Sequence, residues 1–144
     1  MKVLCVDDSA LFRHTLRRQL ESLGVEKILE CASVAEGKQI LEKDPEITLV
    51  ISDHFMDSES GLDFLRWVRD HSLPRIRDIP FLLVIGEQSR DLILESAQLG
   101  VTGFLVKPIL VEVLRDKLKR WVMWIPKDSV DVVNSGIDNQ VVSA

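Results

Sequence analysis

The 144-residue sequence lacks the features of several large protein classes. No apolar run approaches the roughly 20 residues that a membrane-spanning helix needs. Basic residues are too few for a nucleic-acid surface, because 18 of them face 23 acidic residues and the formal net charge is −5. The two cysteines, Cys5 and Cys31, lack the CxxC spacing of metal and redox sites, which favours buried, reduced thiols in a cytosolic protein.

The length and composition of the chain are typical of one globular domain. Hydrophobic residues make up 46% and charged residues 28% of a chain long enough for a sizeable core. Residues 1–10, MKVLCVDDSA, join one lysine to a short apolar run that meets acids at once. We therefore expect a first strand there rather than a secretory signal. The basic residues of RHTLRR, 13–18, are interpreted as the solvated face of an amphipathic helix.

Short apolar runs alternate with longer segments of helical period. The runs predict strands over residues 2–6, 27–32, 47–52, 81–85 and 103–106. Ser9 is placed to cap the first of five helices, and Ser33 with Glu36 has the spacing of a capping box for the second. The fourth helix is expected over about residues 89–99, and residues 74–80, with a proline at each end, predict a loop.

Five strands alternating with five helices predict an α/β fold, in which a doubly wound parallel sheet is covered by helices on both faces. We expect this domain to span residues 1–125. Residues 126–144 have no helical period and are rich in Asp, Asn, Ser and Val. They are interpreted as a poorly ordered C-terminal tail or linker.

Charged residues collect where the predicted strands end. Strand one is followed by Asp7 and Asp8, strand three by Asp53, and strand five by Lys107. Ligands of open α/β sheets bind beyond the carboxyl ends of the strands, so these side chains are predicted to meet. Three carboxylates suit Mg²⁺, a lysine suits a phosphoryl group, and a carboxylate can be the nucleophile that forms an aspartyl phosphate.

Each of these signals has an ordinary alternative. A pair of acids after a strand is usually a helix cap, a Lys-Pro step is usually a turn, and one strand-end aspartate usually caps the next helix. Their joint occurrence at three strand ends favours a binding site. His54, beside Asp53, is a candidate metal ligand or phospho-relay residue, but no second ligand has suitable spacing. A packed or loop histidine is therefore favoured.

Three segments resemble the receiver domain of bacterial two-component response regulators over about residues 2–122. They are VDDSALFR (6–13), ISDHFM with SGLDFL (51–65), and GVTGFLVKP (100–108). The resemblance implies a flavodoxin-like sheet of order 2-1-3-4-5 in a cytoplasmic signalling protein that is not an enzyme. It implies partners, namely a sensor histidine kinase or phosphotransfer protein and a downstream protein or output domain, with a homodimer possible. Nucleic acid and membrane are not expected as partners.

The resemblance also implies roles for individual residues in a Mg²⁺-dependent phosphorelay. Asp53 is the phospho-acceptor, and Lys107 contacts the phosphoryl group. Phe104 is the aromatic switch residue, and the peptide bond between Lys107 and Pro108 is cis. The implied metal ligands are Asp8, Asp7 as its support, Asp53 and the backbone carbonyl of Phe55.

The end of strand four departs from the family pattern, which has a Ser or Thr hydroxyl there. The stretch LLVIGEQS places Gly86 at this position, or Ile85 if no gap is allowed from Lys107, and Ser89 lies too far along. Glu87 adds a carboxylate near the entrance. We expect Asp53 still to accept a phosphoryl group, but more slowly and with an altered switch.

The loop after Asp53 also departs from the pattern. Asp57 replaces a common proline and is expected to be solvated, and Ser60 replaces an aspartate. Phe55 cannot orient an attacking water, which predicts a long-lived phospho-state. Two other functions stay open: a pseudo-receiver that binds proteins without phosphorylation, and a phosphohydrolase, which would lack a second acid where Phe55 stands. The chain is either a stand-alone receiver or a fragment of a longer regulator.

Overall fold

The computed structural model describes residues 1–86 and 90–121. The predicted boundary at residue 125, the tail 126–144, and the residues Glu87 and Ser89 lie outside these ranges. No helix within the described ranges is long and apolar enough to cross a membrane.

The predicted strands form one parallel sheet of order β2-β1-β3-β4-β5, which confirms the expected α/β topology. The strands are β1 (Lys2–Val6), β2 (Lys27–Cys31), β3 (Leu49–Asp53), β4 (Phe81–Ile85) and β5 (Gly103–Val106). Every residue of β3 and β4 is buried, as expected for central strands covered on both faces. The predicted third strand is shifted, because pairing begins at Leu49 and includes Asp53.

Helices cover both faces of this sheet. They are α1 (Ala10–Ser22), α2 (Val34–Lys43), α3 (Gly61–Arg69), α4 (Pro74–Arg77), α5 (Arg90–Gln98) and α6 (Val111–Trp121). On one face α1 and α6 bury their apolar side chains, including Leu16, Leu20, Leu114 and Leu118. On the other face α2 to α5 contribute Leu41, Phe64, Ile76 and Leu92. Each helix thus stabilises the fold by removing one apolar stripe from water.

The short helix α4 corrects the prediction of a loop over residues 74–80, so the described part of the chain contains six helices rather than five. Pro74 occupies the first turn, where its missing N–H costs nothing. Ile76 is fully buried against the core and holds the turn in place. Four residues are too few to show a helical period in the sequence.

Serine side chains cap the N-termini of three helices. Ser9 Oγ accepts from Phe12 N at the start of α1, as predicted. Ser33 Oγ accepts from Glu36 N, but the Glu36 carboxylate bonds the Ser33 hydroxyl, so only half of the predicted capping box forms. The complete box lies at α3, between Ser60 and Asp63.

The basic residues of α1 are only in part the solvated face that the sequence predicts. His14 and Arg18 are exposed, whereas Arg13 and Arg17 both bind the Glu30 carboxylate on β2. Arg17 also donates to the Ile28 carbonyl. These bonds join α1 to β2, the edge strand of the sheet. The helical period of the sequence indicates which residues share a face, but it does not indicate such partners.

Arg69, at the end of α3, joins three separate segments of the chain. Its guanidinium donates to the carbonyls of Arg77 and Ile79 at 2.8 and 2.7 Å, and to the Gly100 carbonyl at 2.9 Å. A weaker bond reaches Thr102 Oγ1 at 3.4 Å. One side chain therefore ties α3 to the stretches that precede β4 and follow α5.

The two cysteines are free and buried, as predicted. Burial raises the pKa of the Cys5 thiol to about 12. Burial also raises the pKa of the Cys31 thiol, to about 11. Neither thiol is therefore a reactive thiolate in the native fold.

Candidate functional site

Three carboxylates meet at the carboxyl edge of the sheet. Asp7 and Asp8 follow β1, and Asp53 is the last residue of β3. One carboxylate oxygen from each residue lies within 4.8 Å of the other two. Asp7 and Asp53 are 3% and 5% exposed, whereas Asp8 is exposed. The cluster therefore combines two buried acids with one that opens to solvent.

Lys107 brings a positive charge to these acids from the end of β5. Its Nζ lies 3.3 Å from Asp7 Oδ2 and 3.4 Å from Asp53 Oδ2. The Lys107 backbone N–H donates to the Ile85 carbonyl at 2.9 Å, and the peptide bond to Pro108 is cis. The four charged residues named from the strand ends thus lie together.

The pKa of Asp53 is raised above its ordinary value. Burial is the largest cause and the negative charge of Asp7 adds to it, while the Lys107 ammonium lowers the pKa without cancelling the rise. One lysine shared between two buried carboxylates leaves part of their repulsion in place. A further cation at this edge would relieve it.

Asp7 is held by three neighbouring segments. Its Oδ1 accepts from Ser9 N at 2.8 Å, its backbone N–H donates to the Cys31 carbonyl at 3.1 Å, and its carbonyl accepts from Arg13. The site role of Arg13 is absent from the sequence predictions. Its place in the first turn after the two acids is the only signal that could have suggested it.

Gly61 allows α3 to begin against the backbone of Asp53. A Cβ at this position would lie 2.2 Å from the Asp53 carbonyl oxygen and 2.7 Å from Leu83 Cδ1. The Gly61 N–H donates to the His54 carbonyl at 3.0 Å, which closes the loop between β3 and α3. Sequence reasoning missed this residue as well, although the Ser-Gly step before a helical period could have signalled it.

The loop after Asp53 carries exposed and partly buried side chains. Phe55 is 67% exposed and meets the His54 ring edge-to-face at 4.8 Å. His54 is partly buried, its Nδ1 has no partner among the described residues, and burial lowers its pKa. Asp57 is exposed. The loop therefore presents an apolar ring and a solvated acid beside the cluster.

The two predicted switch positions lie directly after β4 and within β5. Gly86 directly follows β4, and no described atom lies within 4 Å of a Cβ built there, apart from its chain neighbours. Phe104 is half-buried and packs against the core on the α2 to α5 face. It also lines an apolar groove of about 590 Å³ between α5, β5 and α6.

The sequence of the chain matches a known protein family. Residues 3–119 match the family model of the response regulator receiver domain. The chain belongs to this family. Receiver domains are signalling modules of two-component systems rather than enzymes acting on small molecules. The family resemblance and the flavodoxin-like order of the sheet are thereby confirmed.

Receiver proteins from several bacteria are similar to this chain. The chemotaxis protein CheY of Pseudomonas aeruginosa is 33% identical over 120 residues, which are 83% of this chain and 94% of that protein. The chemotaxis protein CheY1 of Helicobacter pylori is 32% identical over 119 residues, with the same two coverages of 83% and 94%. Among solved receiver structures, chemotaxis protein CheY4 of Vibrio cholerae has a TM-score of 0.75 at 32% identity. That match covers 83% of this chain and 97% of CheY4.

Proposed function

We propose that Asp53 accepts a phosphoryl group from a histidine kinase or phosphotransfer protein and that the phosphorylated domain signals to a downstream protein or output domain. The observation that carries the proposal is the Asp53 carboxylate itself. It is buried at the end of β3, close to two further acids, and its Oδ2 lies 3.4 Å from the Lys107 ammonium.

The carboxylate cluster fits a magnesium ion. Mg²⁺ prefers one or two carboxylates together with water and phosphate oxygens, and the exposed acid Asp8 leaves room for them. Burial is the largest cause of the raised pKa of Asp53 and the charge of Asp7 adds to it, so a bound cation would favour the ionised form. We propose Asp7, Asp8, Asp53 and the Phe55 carbonyl as ligands. The ion would supply positive charge to the oxygens of the transferred group.

In the proposed transfer, a carboxylate oxygen of Asp53 attacks the phosphorus of a phosphohistidine on the partner protein. The new O–P bond forms as the P–N bond breaks, and the imidazole nitrogen leaves with the electron pair. Lys107 turns from the carboxylates to a phosphoryl oxygen, where its ammonium offsets the negative charge of the transferred group. The attacking carboxylate must be ionised, and a bound Mg²⁺ would favour the ionised form.

Gly86 makes the proposed switch unusual. It supplies no hydroxyl, although a glycine permits close approach and its backbone N–H could donate to a phosphoryl oxygen. A charge-assisted bond of this kind contributes about 1.5–3 kcal/mol. We propose that phosphorylation persists at a reduced rate and is coupled only weakly to Phe104, since that coupling is the task of the missing hydroxyl.

Gly86→Thr tests this part of the proposal. Because no described atom other than its chain neighbours lies within 4 Å of a Cβ built at Gly86, we expect the new side chain to be accommodated, and phosphorylation should then shift the Phe104 amide resonance more than in the wild type. Gly86→Ala is the matched control and should behave like the wild type. Normal acceptance by the wild type, with no gain in Gly86→Thr, would overturn the proposed defect.

Phe55 supports a long phosphoryl lifetime. Its exposed apolar ring stands near the acceptor and cannot hold a water molecule in line for attack. The lifetime is measured by following phospho-Asp53 after removal of the phosphodonor. Hydrolysis within seconds would contradict this part of the proposal.

Beryllofluoride, a mimic of the phosphoryl group, tests the main proposal. With Mg²⁺ present, it should shift NMR resonances around Asp53 in the wild type and leave Asp53→Asn unchanged. A wild-type protein that does not respond would instead support the pseudo-receiver, which the absence of a hydroxyl at Gly86 favours. Turnover of a phosphomonoester would support a hydrolase.

A further inference from the structure

The Lys107 ammonium has an aromatic neighbour in addition to its two acids. The centroid of the Phe12 ring lies 4.1 Å from Lys107 Nζ. This is well inside the roughly 6 Å within which a cation is attracted to the face of an aromatic ring. The ring and the ammonium come from the first turn of α1 and the end of β5, so the contact is long-range in sequence.

The position of the Phe12 ring is fixed by contacts within α1 and with the core. Its backbone N–H donates to Ser9 Oγ in the helix cap at 3.2 Å, and its side chain packs against the core of the α1 and α6 face. The next residue, Arg13, binds both Glu30 and the Asp7 carbonyl. The ring is therefore a fixed surface next to a long and otherwise flexible lysine side chain.

The three neighbours of the ammonium differ in what happens to them during phosphorylation. Asp7 and Asp53 lie 3.3 and 3.4 Å from Nζ, but in the proposed reaction both also serve the metal ion, and Asp53 becomes an acyl phosphate. The Phe12 ring takes no part in these exchanges. It is the neighbour that stays with the ammonium throughout.

We propose that Phe12 is a positioning residue for Lys107, holding the ammonium at the site while the carboxylates turn to the metal ion and the phosphoryl group. The inference rests on the proposed function in so far as Lys107 contacts that group. In this proposal Phe12 promotes binding of the phosphoryl oxygens indirectly, through Lys107, and contacts neither the metal ion nor the phosphorus.

The test compares Phe12→Leu with Phe12→Trp. In Phe12→Leu the Mg²⁺ affinity should stay within about twofold, while the beryllofluoride affinity at saturating Mg²⁺ should fall roughly three- to tenfold. Phe12→Trp keeps an aromatic face and should bind both within about twofold of the wild type. Phe64→Leu is the matched control, because it makes the same substitution in the opposite core, and it should leave both affinities unchanged.

A second measurement observes the contact directly. Protons above an aromatic face resonate upfield, so the Lys107 Hε protons should be shifted upfield in the wild type and in Phe12→Trp. In Phe12→Leu they should return to the ordinary lysine position. This shift needs no phosphorylation, and it separates failure of the inference from failure of the proposed function.

The outcomes that overturn the inference are distinct. Unchanged beryllofluoride affinity in Phe12→Leu would show that the ring does not position Lys107. An equal loss of Mg²⁺ and beryllofluoride affinity without rescue by Phe12→Trp would show a structural role only. A wild-type protein that shows the upfield shift but binds no beryllofluoride would refute the proposed function and leave the contact in place.

Discussion

At the scale of single residues, Asp53 experiences opposing influences. Burial and the neighbouring Asp7 raise its pKa, and Lys107 lowers it, with a net rise. A carboxyl group whose folded pKa exceeds its unfolded pKa binds a proton more tightly in the folded state. Its ionised form therefore lowers the free energy of unfolding at neutral pH. The ionised Asp53 carboxylate therefore destabilises the folded domain at neutral pH.

Asp53→Asn should consequently be more stable than the wild type at pH 7, by about 1 kcal/mol, the usual scale of a single substitution. The gain should shrink as the pH falls through the raised pKa of Asp53, because the wild-type carboxyl then becomes neutral as well. Urea unfolding at a series of pH values without Mg²⁺ measures this. A less stable Asp53→Asn at neutral pH would contradict it.

Asp63→Asn is the control of opposite sign. The backbone hydrogen bond from Ser60 is the largest cause of the lowered pKa of Asp63, so its ionised form stabilises the fold. That contribution is present above the unfolded pKa and is lost as the pH falls through the folded one. Asp63→Asn should therefore be less stable than the wild type at neutral pH.

At the scale of elements, the junction of β3 and α3 decides where the Asp53 backbone lies. The capping box of Ser60 and Asp63 fixes the first turn of α3, and Gly61 lets that turn touch the Asp53 carbonyl. The bond from Gly61 N to the His54 carbonyl closes the loop. The strand end and the helix start therefore form one rigid corner.

Gly61→Ala should destabilise the protein by about 2 kcal/mol or more. A Cβ 2.2 Å from the Asp53 carbonyl oxygen forces the backbone of the corner to move, and overpacking of this kind typically costs 1–3 kcal/mol. Urea unfolding gives the change in stability. Gly86→Ala is the matched control, since its Cβ meets no described atom, and its stability should stay within about 0.5 kcal/mol of the wild type.

At the scale of the whole molecule, the two cysteines report on opening of the fold. Cys5 and Cys31 are 0% and 4% exposed, and burial raises both pKa values. A thiol reagent can therefore modify them only when the domain opens. Ligands that bind the folded state should slow that modification by mass action.

Labelling at pH 8 should be far slower than for a thiol in unfolded protein. Mg²⁺ with beryllofluoride at about 100 times the dissociation constant should slow it a further 100-fold, provided that reclosing outpaces labelling. Mass spectrometry over time measures the rate, and urea-unfolded protein supplies the reference. Asp53→Asn should not respond to beryllofluoride. Rapid labelling of the native protein would contradict the buried placement of the thiols.

The sheet and the meeting of four charged residues could be predicted from the sequence for a simple physical reason. Parallel strands end at the same edge, so apolar runs that finish in Asp7, Asp8, Asp53 and Lys107 bring these residues together wherever the intervening helices lie. The prediction needs only the strand ends, which the change from apolar to charged residues marks clearly.

Other features could not be predicted, because they depend on contacts between distant segments. Helix α4 rests on one buried residue, Ile76, and four residues show no period. The pairing of Arg13 with Glu30 joins a helix to a strand, and a helical pattern indicates a face but no partner. Phe12 packs on the α1 and α6 face, yet its position above Lys107 follows only from the assembled sheet.

The bonds of Arg69 set the mechanics of helix α5. They hold the Gly100 carbonyl, just beyond the C-terminal end of α5, to α3 and to the segment before β4. We therefore expect α5, if it is displaced, to rotate about that end. The helix has 9 residues and is about 13 Å long at 1.5 Å per residue. The pivot of such a rotation would be the Arg69 guanidinium, and the largest displacement would fall at Arg90, the first residue of the helix.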